Sequence, residues 1–99
     1  MTKEEVQLLA FKIIANAGEA LDCFYNAVLL YKGSNEDEAL KKLNRGKEIL
    51  NEVHNLQTEL IQAEANNEEV PYSLIMTHAQ DHLNSAINWE RMASLLLKN

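Results

Sequence analysis

The chain has 99 residues, 46% of them hydrophobic, with a single Cys and a net charge of −6. These values favour one cytoplasmic domain over residues 1–99, and they exclude both a disordered acidic tail and a disulfide scaffold. The negative charge argues against nucleic-acid binding, which needs clustered Lys and Arg. No apolar run reaches the roughly 18 residues that a membrane span needs.

The first predicted helix begins at a capping box. Thr2-Lys3-Glu4-Glu5 has the S/T-x-x-E form, in which Glu5 reaches back to the cap residue. Apolar residues then recur every three or four positions, as they do on one face of an amphipathic helix. They are Val6, Leu9, Ile13, Ala17, Leu21, Phe24 and Val28. We expect Gly18 to permit close helix packing, and Gly33 to end the helix in the left-handed conformation.

A second helix of about 30 residues is predicted after a cap at Ser34 or Asn35, with acidic side chains in its first turn. Its apolar residues are Leu40, Leu43, Leu50, Val53, Leu60 and Ile61. The segment 65–71 predicts the end of this helix and a connector. Asn tolerates the left-handed region, and Pro71 disfavours helix in the residue before it.

A third helix is predicted from about Ser73 to Leu97. Its broad apolar face consists of Ile75, Ala79, Leu83, Ala86, Ala93 and Leu97. Three helices with two short connectors predict an all-α fold, an antiparallel three-helix bundle that runs up, down and up. No stretch shows the alternation of apolar and polar residues that is typical of a strand.

The third helix carries a second line of residues, spaced alternately by four and three as in a coiled coil. We call it the seam: Leu74, His78, Asp81, Ser85, Asn88, Met92 and Leu95. It is too polar for a core and too apolar at its ends for a solvated face, which favours self-association through helix three with cyclic symmetry. Asp81, the only formal charge between Pro71 and Trp89, would then meet its own copies, and a hard divalent cation would relieve their repulsion. The alternative is that Asp81 faces water on a monomer.

Two His residues on this helix suggest chemistry. His78 and His82 are four residues apart, so both face one side of the helix, with Asp81 beside them. Neutral imidazole is nucleophilic and accepts phosphoryl groups, and His82 or Gln80 would be the donor to the transferred group. The same His and Asp side chains are also ligand types for zinc or iron in a metal-dependent hydrolase, but the H-E-x-x-H pattern is absent. A structural or exposed His pair is the commoner explanation of such spacing.

Residues 77–83, Thr-His-Ala-Gln-Asp-His-Leu, resemble the signature of a known family. It is the lactose/cellobiose class of IIA components of the bacterial phosphoenolpyruvate-dependent sugar phosphotransferase system. Residues 11–20 and 54–61 resemble the family's helix-one and helix-two motifs in the same order, so the resemblance covers nearly the whole chain. Two departures stand out: Asn84 replaces the usual Met, and Asn66-Asn67 replaces a Gly-containing connector.

The resemblance implies a homotrimer around the third helices. It identifies His78 as the nucleophile that is phosphorylated by the histidine phosphocarrier protein HPr and passes the phosphoryl group to a Cys of the IIB component. IIB then phosphorylates a β-glycoside disaccharide of the cellobiose, lactose or chitobiose type as the membrane component IIC moves it inward. The rival interpretation is a non-catalytic regulatory or interaction module with the same fold.

The resemblance also assigns roles to the neighbours of His78. Asp81 from each of three subunits would bind a shared divalent cation on the trimer axis, with Mg²⁺ the expected ion. Gln80 and His82 take supporting catalytic roles. Gly18 is implied to be a packing glycine, and His54 a structural residue.

Overall fold

The computed structural model describes residues 1–97 and contains three helices, which confirms the all-α prediction. They are α1 (Lys3–Lys32), α2 (Glu36–Ala65) and α3 (Leu74–Leu97). The N-terminal amine of Met1 donates to the carbonyl of Glu69 at 3.0 Å, so the start of α1 lies beside the end of α2. α1 packs along both other helices, whereas α2 and α3 share a smaller contact. No helix within residues 1–97 is long and apolar enough to cross a membrane.

The predicted capping box at the start of α1 is confirmed. The Thr2 hydroxyl accepts the N–H of Glu5 at 3.1 Å, and the Thr2 N–H donates to the Glu5 carboxylate at 2.8 Å. These hydrogen bonds favour the ionised carboxylate, so they hold the pKa of Glu5 below its usual value.

The end of α1 differs from its prediction. Gly33 is not left-handed, because its φ is −82°, and the left-handed residue is Ser34, with φ 64°. The N–H of Asn35 donates to the carbonyl of Leu30 at 2.9 Å, as in a Schellman motif that begins one residue later than predicted. α2 ends in the same way, with Asn67 at φ 61°, which confirms the expected tolerance of Asn.

Asn35 occupies the N-cap position of α2, but its side chain makes no capping hydrogen bond. The start of α3 is better capped. Ser73 is buried, and its hydroxyl accepts the N–H of Met76 at 3.3 Å. The two helix starts therefore differ in how their free backbone N–H groups are satisfied.

A close contact between α1 and α2 lies at the centre of the core. Phe24 is fully buried, and a Cβ at Gly46 would come within 2.5 Å of its Cε1 atom. Gly46 therefore permits the approach of the two helices. The prediction that Gly18 packs closely is wrong for the single chain, since nothing lies within 4 Å of a Cβ at that position.

The predicted apolar stripe of α2 is right near its middle and wrong toward its ends. Leu43, Leu50 and Val53 are buried, but Leu40 and Ile61 are 47% and 58% exposed. The residues buried instead include Ala39, Gly46, Ile49 and Ala63. The predicted face of α3 is buried apart from the half-exposed Ile75, and Met76 joins it.

Cys23 is buried on α1, and this burial raises the pKa of its thiol. The thiol is therefore protonated at neutral pH and behaves as a small apolar side chain.

Candidate functional site

Every residue of the seam is exposed in the single chain. Its apolar members are the most conspicuous: Leu74 is 72%, Met92 45% and Leu95 74% exposed. The inner side of α3 is filled by small residues and Leu83, which pack onto the rest of the bundle. The core therefore uses only one side of α3, and the seam lies on the other, as predicted.

His78 and His82 meet at their ring nitrogens. The two Nε2 atoms are 3.1 Å apart, the ring centroids are separated by 4.6 Å, and the rings stand edge to face at 88°. One turn of α3 separates the two residues, so the helix itself brings them together. At this distance one nitrogen donates a proton and the other accepts it through its lone pair.

An apolar groove of about 440 Å³ opens beside His78. Phe11 and Ile14 of α1 form one wall, and Leu74 and Ile75 at the start of α3 form the other. Phe11 is 57% exposed and belongs to the segment that resembles the family's helix-one motif. The imidazole of His78 thus lies at the rim of an exposed apolar surface that suits a transient protein contact.

A second, smaller depression of about 240 Å³ lies along the seam, lined by His78, Asp81, His82 and Ser85. Within residues 1–97, no three His, Cys, Asp or Glu side chains are grouped so that they would hold a metal ion.

Gln80 does not face His78 within the chain. It points to α2, where its amide forms two hydrogen bonds with the amide of Gln57, at 2.7 and 3.0 Å. Its Nε2 also lies 3.3 Å from the Sδ of Met76. Both N–H groups of Gln80 therefore have partners on the inner side of α3. The part of this arrangement that sequence reasoning missed is Gln57, although it lies within the segment 54–61 that resembles the helix-two motif.

His54 is exposed on α2. Its backbone carbonyl accepts the hydroxyl of Thr58 at 2.9 Å, a bond internal to the helix. Nothing within the described residues connects His54 to the groove.

The chain shares its sequence and fold with known phosphotransferase proteins. The family model for the lactose/cellobiose-specific IIA subunit of the phosphotransferase system matches residues 8–98. The lichenan-specific phosphotransferase enzyme IIA component of Bacillus subtilis is 38% identical over 96% of this chain and 86% of its own length. The lactose-specific EIIA component of Staphylococcus epidermidis is 38% identical over 100% of this chain and 88% of its own. The crystal structure of the cellobiose-specific enzyme IIA from Bacillus anthracis aligns with a TM-score of 0.90 at 36% identity, covering 98% of this chain and 87% of that one.

A helical chain with an exposed His pair and these relatives is a relay component of a sugar phosphotransferase system, in which phosphoryl groups pass between proteins. The chain belongs to the lactose/cellobiose-specific IIA family of that system.

Proposed function

We propose that His78 is the residue that is phosphorylated, with HPr as the donor and a Cys of the IIB component as the acceptor. The observation that carries this proposal is the 3.1 Å contact between the Nε2 atoms of His78 and His82, at the rim of the apolar groove. A relay nucleophile needs an exposed lone pair, a fixed tautomer and surroundings that exclude water. His78 is exposed to a donor, its Nε2 contacts a ring that can fix its tautomer, and a partner docked on the adjoining apolar groove would exclude water.

The contact between the two rings supports a transfer that begins at the Nε2 of His78. When His82 donates its Nε2–H, the Nε2 of His78 keeps its lone pair, and its ring proton is on Nδ1. That lone pair attacks the phosphorus of phosphorylated HPr. The new N–P bond forms at His78 as the donor's N–P bond breaks, and the donor imidazole keeps the electron pair. The N–H of His82 is then free to turn to a phosphoryl oxygen and stabilise its charge.

The second transfer reverses the roles. A thiolate of IIB attacks the phosphorus, an S–P bond forms, and the N–P bond at His78 breaks with its electrons returning to Nε2. Both steps need the donor and acceptor atoms nearly in line and little more, so positioning is the main task of the chain. The apolar walls of the groove, Phe11, Ile14, Leu74 and Ile75, favour brief docking of each partner.

We further propose a homotrimer around α3, with one Asp81 from each subunit facing the symmetry axis. The exposed seam supports this, since its apolar ends gain by burial while its single carboxylate is exposed at mid-helix. Carboxylate oxygens suit a hard cation, and Mg²⁺ shared by three Asp81 would offset their mutual repulsion.

For the sugar, we propose a β-glycoside disaccharide. The relatives are named for lichenan, lactose and cellobiose, all of which contain β-linked sugars.

Replacing His78 tests the relay. The chain is incubated with phosphoenolpyruvate, enzyme I and HPr, and its intact mass is measured. We expect wild type to gain one acid-labile phosphoryl group and His78→Gln to gain none, because the attacking nitrogen is missing. His54→Gln, at an exposed His on α2, is the matched control and should accept as wild type does. Full acceptance by His78→Gln would show that the site lies elsewhere. A folded wild type that gains no mass beside active partners would favour the regulatory interpretation.

Removing Asp81 tests the shared cation. Native mass spectrometry of wild type should find one divalent ion per three chains, and Asp81→Leu should hold none while remaining trimeric, because the repulsion among the carboxylates is gone. Glu52→Leu, on the exposed side of α2, should leave the bound metal unchanged. A wild type that is monomeric and metal-free would contradict the proposed axis.

A further inference from the structure

We infer that Gln57 is a positioning residue for the transfer at His78, acting through its paired amide bonds to Gln80. This inference rests on the proposed function, because it takes His78 as the phosphorylated residue. Gln57 itself lies on α2 and does not touch the His78–His82 pair. Its role would be to fix the rotation of the first half of α3, and with it the direction in which the Nε2 of His78 points.

The bond between the two amides is reciprocal. The Nε2 of Gln57 donates to the Oε1 of Gln80 at 2.7 Å, and the Nε2 of Gln80 donates to the Oε1 of Gln57 at 3.0 Å. Both side chains are partly buried, which makes such bonds less exposed to competition from water. Two antiparallel bonds between planar amides hold both groups in one plane, so the pair constrains orientation as well as distance.

The two bonds between Gln57 and Gln80 are the only side-chain hydrogen bonds between α2 and α3 within residues 1–97. The apolar residues that anchor α3 beside them, Leu83 among them, pack without hydrogen bonds and so without a fixed direction. Ala79 is fully buried but has no side-chain shape beyond a methyl group, and Met76 is flexible. The amide pair therefore adds a directional constraint on the angle of α3 at this level of the bundle.

Because His78 and Gln80 lie on the same helix, a rotation of α3 moves the imidazole together with the amide. Gln80 follows His78 by two residues, so their side chains leave α3 about 200° apart, on opposite sides of its axis. A rotation that displaces the amide therefore displaces the ring by a similar arc. Transfer needs donor and acceptor nearly in line, and a misplacement of about 1 Å can lower a rate by about 100-fold.

The test is steady-state transfer from phosphorylated HPr to Gln57→Leu, which removes both amide bonds. We expect kcat to fall about tenfold with little change in KM, because docking is intact and only the direction of attack is altered. Gln57→Glu still accepts from Gln80 but donates nothing back, and it should fall between Gln57→Leu and wild type. Gln62→Leu, an exposed change on the same helix, is the matched control and should transfer as wild type does.

A folding control and an NMR measurement separate an effect on the direction of His78 from an effect on the stability of the fold. All rates are measured at a temperature where urea titration shows each variant to be fully folded. The ¹⁵N shifts of the His78 and His82 rings report their contact, and we expect them to move toward free imidazole in Gln57→Leu but not in Gln62→Leu.

Different results overturn different claims. An unchanged or raised kcat in folded Gln57→Leu overturns the inference, since it means that Gln80 works equally well or better without its partner. Where Gln57→Leu does not fold, Gln57→Glu decides in the same way. A wild type that is not phosphorylated on His78 refutes the proposed function instead.

Discussion

α2 and α3 are both amphipathic, yet their outer sides differ. Residues 34–70 hold nine acidic and four basic side chains, and those of α2 lie mostly on its exposed side. Between Pro71 and Trp89 the only formal charge is Asp81, and the outer side of α3 exposes Leu74 and Leu95. The exposed side of α2 is thus mostly charged, although Leu40 and Ile61 are exposed there, whereas α3 has a second face that the core does not use. The exposed apolar side chains that could bind a partner therefore lie on the same helix as the reactive His pair, α3.

The ion pairs of α2 support this contrast. Lys41 lies 3.1 Å from Glu38 and Arg45 lies 3.3 Å from Glu48, all on exposed side chains. Pairs of this kind are screened by water and contribute well under 1 kcal/mol each. They keep the outside of α2 solvated rather than forming a binding site.

The largest expected effect separates the two outer faces directly. Leu95→Glu on α3 should weaken the proposed trimer at least 100-fold, because it puts like charges where apolar side chains would meet. Ile61→Glu on α2 replaces a residue of similar exposure, 58% against 74%, and should leave assembly unchanged. Sedimentation equilibrium measures both. An equal loss of assembly in the two variants would show that the exposed sides of α2 and α3 do not differ in this respect.

The next effect concerns the inner side of α2. Gly46→Ala should destabilise the chain by about 2 kcal/mol, since the added Cβ meets the ring of Phe24 and overpacks the core. Gly18→Ala meets nothing within 4 Å, so it should stabilise α1 by up to about 1 kcal/mol through helix propensity. Urea unfolding gives both values. A loss at Gly18 as large as that at Gly46 would mean that another chain packs onto α1 there.

The smallest effect compares the two helix starts. Ser73→Ala should cost about 1 kcal/mol, because the hydroxyl that caps the N–H of Met76 is lost. Asn35→Ala at the start of α2 should cost only a few tenths of that, since its side chain makes no capping bond. Denaturant midpoints of the two variants decide this. A larger cost at Asn35 would show that α2 depends on its first turn more than α3 does.

The sequence predicts most of this architecture, because spacing of three and four along uninterrupted segments leaves little choice but helix. It also predicts that His78 and His82 lie on one side of α3, since one turn of helix decides that. The exposed seam follows from the same spacing, because Ala79 and Leu83 turn inward when His78 turns outward.

What the sequence did not reveal depends on contacts between helices. A glycine has no side chain to mark its face, so pattern alone did not show that Gly46 is the point of close approach and Gly18 is not. The α2 stripe failed at Leu40 and Ile61 because the buried line shifts around a helix of 3.6 residues per turn over its 30 residues. Ala39 and Ala63 face the core near the two ends instead. The partner of Gln80 is a polar residue on another helix, which periodicity does not register.

The bundle is a rod of 50 × 20 × 15 Å, and its radius of gyration of 15.4 Å exceeds the roughly 13 Å of a round domain of this size. Rods that join along α3 lie side by side, so such an assembly would grow in width while keeping its length. In small-angle X-ray scattering, the longest interatomic distance would therefore stay close to that of one chain, while the cross-section would widen. Chains that joined end to end would instead increase the longest distance and leave the cross-section unchanged.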